Sequence, residues 1–285
     1  EAAVRGRSLW DDALRRLTRN RAAVAGMVLL GLLFVLAAVG PYLTSFRYDA
    51  VNKADVWAPP LTAGHLLGAD ALGRDLLARL LMGLRVSLAI GFVATSVSLL
   101  IGVAWGAVAG FVGGAVDEVM MRVVDVLYSL PFIFFVILLT VTFGSNIFLI
   151  FVAIGAVEWL TMSRIVRGQT LTLKNKEFVE AARAAGLTQG AIIARHIVPN
   201  LLGPVVVYVT LTIPAVILAE SFLSFLGLGV QPPMASLGTL IAGGAQDMEL
   251  AWWLLVFPSV TMVVTLMCFN FIGDGLRDAI DPKDR

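Results

Sequence analysis

Charge is what this sequence has least of for its length. Only 14% of its 285 residues are Asp, Glu, Lys or Arg, against about 25% in a soluble domain. The apolar set makes up 59%, so a soluble fold would lack the polar surface to cover itself, and the composition dictates an integral membrane protein. With 21 basic and 20 acidic residues the net charge is +1, which gives no electrostatic footprint for a nucleic-acid partner. Cysteine occurs once, at Cys268 in an apolar stretch, so no intrachain disulfide can form and the thiol is assigned to packing. His65 and His196 are the only histidines, with no cysteine or carboxylate cluster at metal-ligand spacing. No glycine precedes a lysine, which removes the phosphate-cradling loop of an NTPase, and no Gly-x-Ser-x-Gly nucleophile elbow occurs. Catalysis by this chain is not expected, nor is a cofactor of its own. The chain opens at Glu1 with no methionine, so a natural start is expected upstream.

What the sequence does have is long apolar runs. A bilayer core about 30 Å thick takes about 20 helical residues to cross. Runs at 22–46, 86–116, 119–143, 147–166, 201–226 and 251–272 meet that length, the third and fourth separated by the turn signal Gly144-Ser145-Asn146. The expected fold class is therefore all-α with six transmembrane helices, with Pro131, Pro204, Pro214 and Pro258 as kinks inside them. Orientation follows from Lys and Arg. Arg5 to Arg21, Arg122, the stretch from Arg164 to Arg195 and the tail concentrate on one side, while only Arg47, Lys53, Arg74, Arg79 and Arg85 fall on the other. Both termini and the loop between spans four and five are thus expected in the cytoplasm.

Outside the spans, Leu9, Trp10, Ala13, Leu14 and Leu17 recur at helical spacing, with arginines between and a start at Ser8 or Asp11. Such a helix suits the cytoplasmic membrane surface, arginines toward anionic lipid headgroups. Residues 70–85 predict a second amphipathic helix leading into span two. Within that span Gly102, Gly106, Gly110 and Gly114 repeat every four residues and predict a close helix contact, with another span or another subunit. Glu158 and Glu220 are intramembrane carboxylates; such groups face a pathway, or are held by local hydrogen bonds.

The loop from Asn175 to Asn200 is the most informative segment. Asn175 is expected to cap a short helix, Glu177 suits its positive end, and Gly186 fits a left-handed stop. Phe178, Ala181, Ala182 and Ala185 form a shallow apolar stripe at i, i+3, i+4 and i+7, suited to a partner's cleft, with Glu177, Glu180 and Arg183 at its rim. Thr188 is expected to start a second short helix ending at Pro199.

Glu180-Ala181-Ala182, three residues, Gly186, and then Pro199 thirteen positions on resembles the signature loop of ABC importer permeases. GRSLW near the N-terminus, LGADALGRDLLARLL before span two, SRIVRGQTL, ESFLSFLGLG and FNFIGDGLRDAIDPKDR narrow the resemblance to the C-type permease subunits of bacterial oligopeptide and dipeptide importers. His196 and Val198 depart from the isoleucine and leucine of the general pattern. The resemblance implies a type I ABC importer permease in the bacterial inner membrane, partnered by a second homologous permease, two cytoplasmic ATPases that hold ATP and Mg, and an external peptide-binding protein. It implies that Phe178, Glu180, Ala181, Ala182, Arg183, Ala185, Gly186, His196 and Pro199 couple to the ATPases. The expected organisation is a cytoplasmic segment 1–21, a first span 22–46, an external loop 47–85, a permease domain 86–273 containing the coupling loop 171–200, and a tail 274–285. A proton-coupled secondary carrier using Glu158 and Glu220 is the rival; inverted hydropathy repeats that would support it are not seen. A membrane scaffold would leave the alanine stripe unexplained.

Overall fold

The computed structural model describes residues 9–144 and 146–280. Among them every regular element is helical, apart from two isolated β-bridges at Thr62–His65 and Ala69–Asp75. Five helices are long and apolar enough to cross a membrane, or six if one bent pair counts as a single span.

The first helix, α1 (Leu9–Arg19), is amphipathic, as its spacing predicts. Ser8 and the side chain of Asp11 lie outside what is described. Leu17 and Ala13 pack beside Ala23, Leu276 and Ala279, so part of the apolar face docks on protein, while Leu14 stays exposed. Asn20 then caps α2 (Arg21–Leu43), its side chain accepting from the Ala22 and Ala23 N–H groups at 3.1 and 3.2 Å.

Residues 70–85 and span two do not form separate helices. A single helix α3 (Leu76–Val112) of 37 residues replaces them, capped by Asp75, whose carboxylate accepts the Ala78 N–H at 2.7 Å. No proline lies between Leu76 and Val112, so nothing at the expected junction breaks the hydrogen-bond ladder. Gly113 and Gly114 end it, with φ of +72° and +56°.

Span three is broken. Helix α4 (Gly114–Ser129) and helix α5 (Phe132–Phe143) meet at 79°. Pro131 has no N–H to continue the ladder and pushes Leu130 to an extended ψ of 128°. Asn146 caps α6 (Ile147–Leu173), which runs about two turns past the expected end of span four. A short helix α7 (Glu177–Ala184) follows. Then α8 (Gln189–Ile192) passes through a π-turn (Ile193–Ile197) into α9 (Val198–Phe225). Pro199 therefore does not end a helix. It sits in the first turn of α9, directly after the π-turn. Helix α10 (Leu237–Gln246) has no counterpart among the expected spans, because its apolar run is too short to cross; Ser236 and Thr239 close a capping box at its start. The last helix is α11 (Trp253–Ile280).

The most extensive helix contact is α3 on α6, and three of the four repeated glycines make it. A Cβ added at Gly102 would lie 2.6 Å from the Met162 Cβ, one at Gly110 2.9 Å from the Arg167 carbonyl oxygen, and one at Gly106 would strike the Ser163 carbonyl. The neighbour is thus a span of the same chain. Gly114 is the exception: a Cβ added there would meet nothing within 4 Å. The helix has already ended at Val112, so the four-residue period no longer places Gly114 on the packing face.

Candidate functional site

Helix α7 stands at the end of α6 and projects a mixed face. Its cap residue is Lys176 rather than Asn175, and no side chain bonds to its first N–H groups. Asn175 instead donates back to the Leu171 carbonyl at 3.5 Å, because α6 persists to Leu173 and leaves no extended residue at 175 to act as a cap. The other end behaves as the sequence predicts. Gly186 has φ +79°, its N–H bonds the Arg183 carbonyl at 2.9 Å, and the Leu187 N–H bonds the Ala182 carbonyl at 3.2 Å. These two bonds make a Schellman stop.

The apolar stripe divides between two faces. Phe178, Ala181 and Ala185 are exposed, together with Glu177 and Glu180. Ala182 is not on that surface; it is buried with Val179, packed among Ile192, Ile197 and Leu201. Positions 179 and 182 are three apart and share one side of the helix, and the stronger hydrophobe, Val179, turns that side toward the chain's own core. The exposed part of the apolar stripe is therefore Phe178, Ala181 and Ala185. Arg183 lies with its guanidinium 5.3 Å from the centre of the Phe111 ring, tying α7 to the end of α3. His196 sits in the π-turn, half-buried, its backbone oxygen accepting from Asn200 at 2.7 Å. Pro199 is exposed beside it.

Arginines that served in the sequence only to mark topology have structural partners. Arg167 grips Asp117 with two N–H bonds of 2.6 Å, and Arg164 pairs with Asp125 at 2.9 Å while lying over Tyr128. Lys174 donates to the Gly110 carbonyl at 3.0 Å. All three bind α6 and its C-terminal end to α3 or α4. No spacing rule links residues 50 apart, so these pairs were not visible beforehand.

Glu220 lies at the opposite end of α9 and is fully buried. Its Oε1 accepts hydroxyls from Ser224 and Ser236, each at 2.6 Å, and its Oε2 accepts from Ser87 at 3.4 Å. Ser87 also accepts the Leu237 N–H at 3.0 Å. The carboxylate thus fastens α3, α9 and the N-terminus of α10, where helix N–H groups favour negative charge. It reaches no open surface, and local hydrogen bonds hold it, which is the second of the two roles the sequence leaves open. Glu158 is half-buried in α6, and its side chain forms no hydrogen bond or ion pair among the described residues. The two carboxylates are not brought together.

Membrane-length helices locked by glycine contacts, with a capped helix hung from the loop before the penultimate span, define a polytopic membrane subunit. The chain belongs to the family of binding-protein-dependent transport system inner membrane components, whose model matches residues 102–285. The model for the N-terminal TM domain of oligopeptide transport permease C matches residues 8–60. The chain is 54% identical to the oligopeptide transport system permease protein OppC of Haemophilus influenzae, over 100% of this chain and 92% of that one. It is 56% identical to OppC of Escherichia coli K12, over 99% and 94%, and 45% identical to the dipeptide transport system permease protein DppC of Bacillus subtilis, over 98% and 87%. A structure of the MetNI methionine ABC transporter in inward-facing conformations shares the fold, with a TM-score of 0.57 at 21% identity, covering 71% of this chain and 96% of that chain. The family does not favour the secondary carrier.

Proposed function

We propose that this chain is the membrane-spanning permease subunit of an ATP-driven importer of oligopeptides or dipeptides. The observation that carries the reading is α7: a capped eight-residue helix, anchored by Val179 and Ala182, that leaves Phe178, Ala181 and Ala185 uncovered. The near full-length identity to oligopeptide permeases supports the cargo. Phe178, Glu180, Ala181, Arg183 and Ala185 would meet a partner ATPase, which holds ATP and Mg. Ala182, Gly186, His196 and Pro199 would set the position of that surface. The remaining partners are a second homologous permease and an external peptide-binding protein. Purification from native membranes tests the assembly: two ATPases and a second permease should accompany the chain, and isolation without any of them would refute it.

The distribution of Lys and Arg supports a cytoplasmic side for both termini and for α7. A reporter active only outside the cytoplasm should work when fused near Trp57 or Gln231 and stay silent near Asn175 or Lys283. The reverse pattern would remove the coupling role along with the orientation.

Glu220 is proposed as a fastener of the outer helices rather than a contact for cargo. Glutamine keeps the oxygen that Ser224 and Ser236 address and can donate toward Ser87. Alanine leaves three buried hydroxyls without their acceptor, each costing about 1–3 kcal/mol. Glu220→Gln should therefore change uptake of acidic, basic and neutral peptides by similar factors, and Glu220→Ala should lower all three much further. Competition uptake measures this. Loss of basic peptides alone in Glu220→Gln would instead make the carboxylate a cargo site.

A further inference from the structure

Next to the Glu220 fastening lies a cavity of about 300 Å³, with Ser224, Leu76 and Leu254 in its lining. That volume sits at the small end of ligand sites. One wall is the turn before α3 and its first residues, with Asp70, Arg74 and Arg79; the other is α10 and the segment before it, with Gln231, Thr239 and Asp247.

The first wall holds more donors than its own acceptors use. Asp70 accepts from Arg74 Nε at 2.8 Å and faces Arg79 Nε at 3.5 Å. Its Oδ1 is taken by the Leu72 and Arg74 backbone N–H groups at 2.9 and 3.0 Å. Arg79 also donates to the Tyr48 carbonyl at 3.3 Å, and its side chain is only 9% exposed. Two guanidiniums, each with five N–H donors, thus share one saturated carboxylate, with the Arg74 side chain 17% and the Arg79 side chain 9% exposed. The second wall has the opposite need. Asp247 is half-buried, and its carboxylate makes no hydrogen bond or ion pair among the described residues. Unfilled cationic donors and an unpaired carboxylate facing one small space are met together by a ligand that carries one carboxylate and one ammonium.

We propose that this cavity binds a compact zwitterion of the amino-acid or dipeptide class, its carboxylate on Arg74 and Arg79 and its ammonium on Asp247. Such a ligand would bridge the start of α3 to α10, at the end of the bundle away from α7. The site is separate from the coupling surface and does not depend on the transport reading.

Glycylglycine is the probe. It is titrated by calorimetry into the chain with its native subunits in lipid nanodiscs, washed free of any soluble binding protein. Saturable binding is expected, weakened at least about tenfold when either the amine is acetylated or the carboxylate amidated, a difference of about 1.4 kcal/mol. Asp247→Asn, which removes no contact within the protein and should leave the unfolding temperature unchanged, is expected to weaken binding by a similar factor. No saturable binding by about 10 mM, a range in which contacts of this kind still register, would overturn the proposal. Equal affinity for the blocked compounds, or an unchanged affinity in Asp247→Asn, would overturn it as well.

Discussion

Gly106→Ala is expected to cost the protein about 2–3 kcal/mol of stability, and larger residues there should prevent accumulation in the membrane. A methyl at Gly106 strikes the Ser163 carbonyl, and backbone on the opposite helix cannot step aside as a flexible side chain would. Gly168 provides the internal control. It is exposed on α6, and a Cβ added there would meet nothing within 4 Å, so Gly168→Ala should be neutral or stabilise by about 0.5–1 kcal/mol through helix propensity. Thermal unfolding of the two purified variants separates them by sign. Equal behaviour would mean that the α3–α6 contact is not the tight one described.

Gly186→Val should leave the protein inserted and folded yet abolish peptide-stimulated ATP hydrolysis in the assembled transporter. At φ +79° a β-branched residue is strained by about 1–2 kcal/mol or more, and the Schellman stop aims the chain from α7 into α8. Space is not the issue, since a Cβ built at Gly186 would meet nothing within 4 Å. Asparagine tolerates the left-handed conformation better than other residues with a side chain, so Gly186→Asn should retain most coupling. Ala181→Arg tests the docking face itself, because that side chain is exposed; Ala182→Arg would force a charge into the cluster around Val179 and disrupt the loop for another reason. Full coupled transport by Gly186→Val or by Ala181→Arg would show that α7 does not carry the signal.

The helical class and the run of spans were legible because apolar length is a local property. Gly186 was legible for the same reason: a helix stop is written in one residue. Ala182 was not, because the stripe of small residues fits either face of a short helix and only the packing of Val179 against Ile192 and Ile197 decides which face turns inward. The Glu220 fastening draws on Ser87, Ser224 and Ser236 from separate parts of the chain, and serine is too common for such a meeting to stand out in a sequence. Gly114 shows the opposite failure. Its spacing continued a pattern whose helix had already stopped at Val112.

The uninterrupted α3 has a mechanical meaning. Its 37 residues make a rod of about 55 Å, against a hydrocarbon core of about 30 Å. One end is pinned to the loop before it, where His65 Nδ1 meets Asp75 at 2.7 Å, and the other abuts α7 through Phe111 and Arg183. A stiff strut of that length amplifies small rotations: tilting it by about 5° about one end sweeps the other through about 5 Å, roughly one helical turn. Two separate helices joined by a loop would have absorbed such a tilt at the joint.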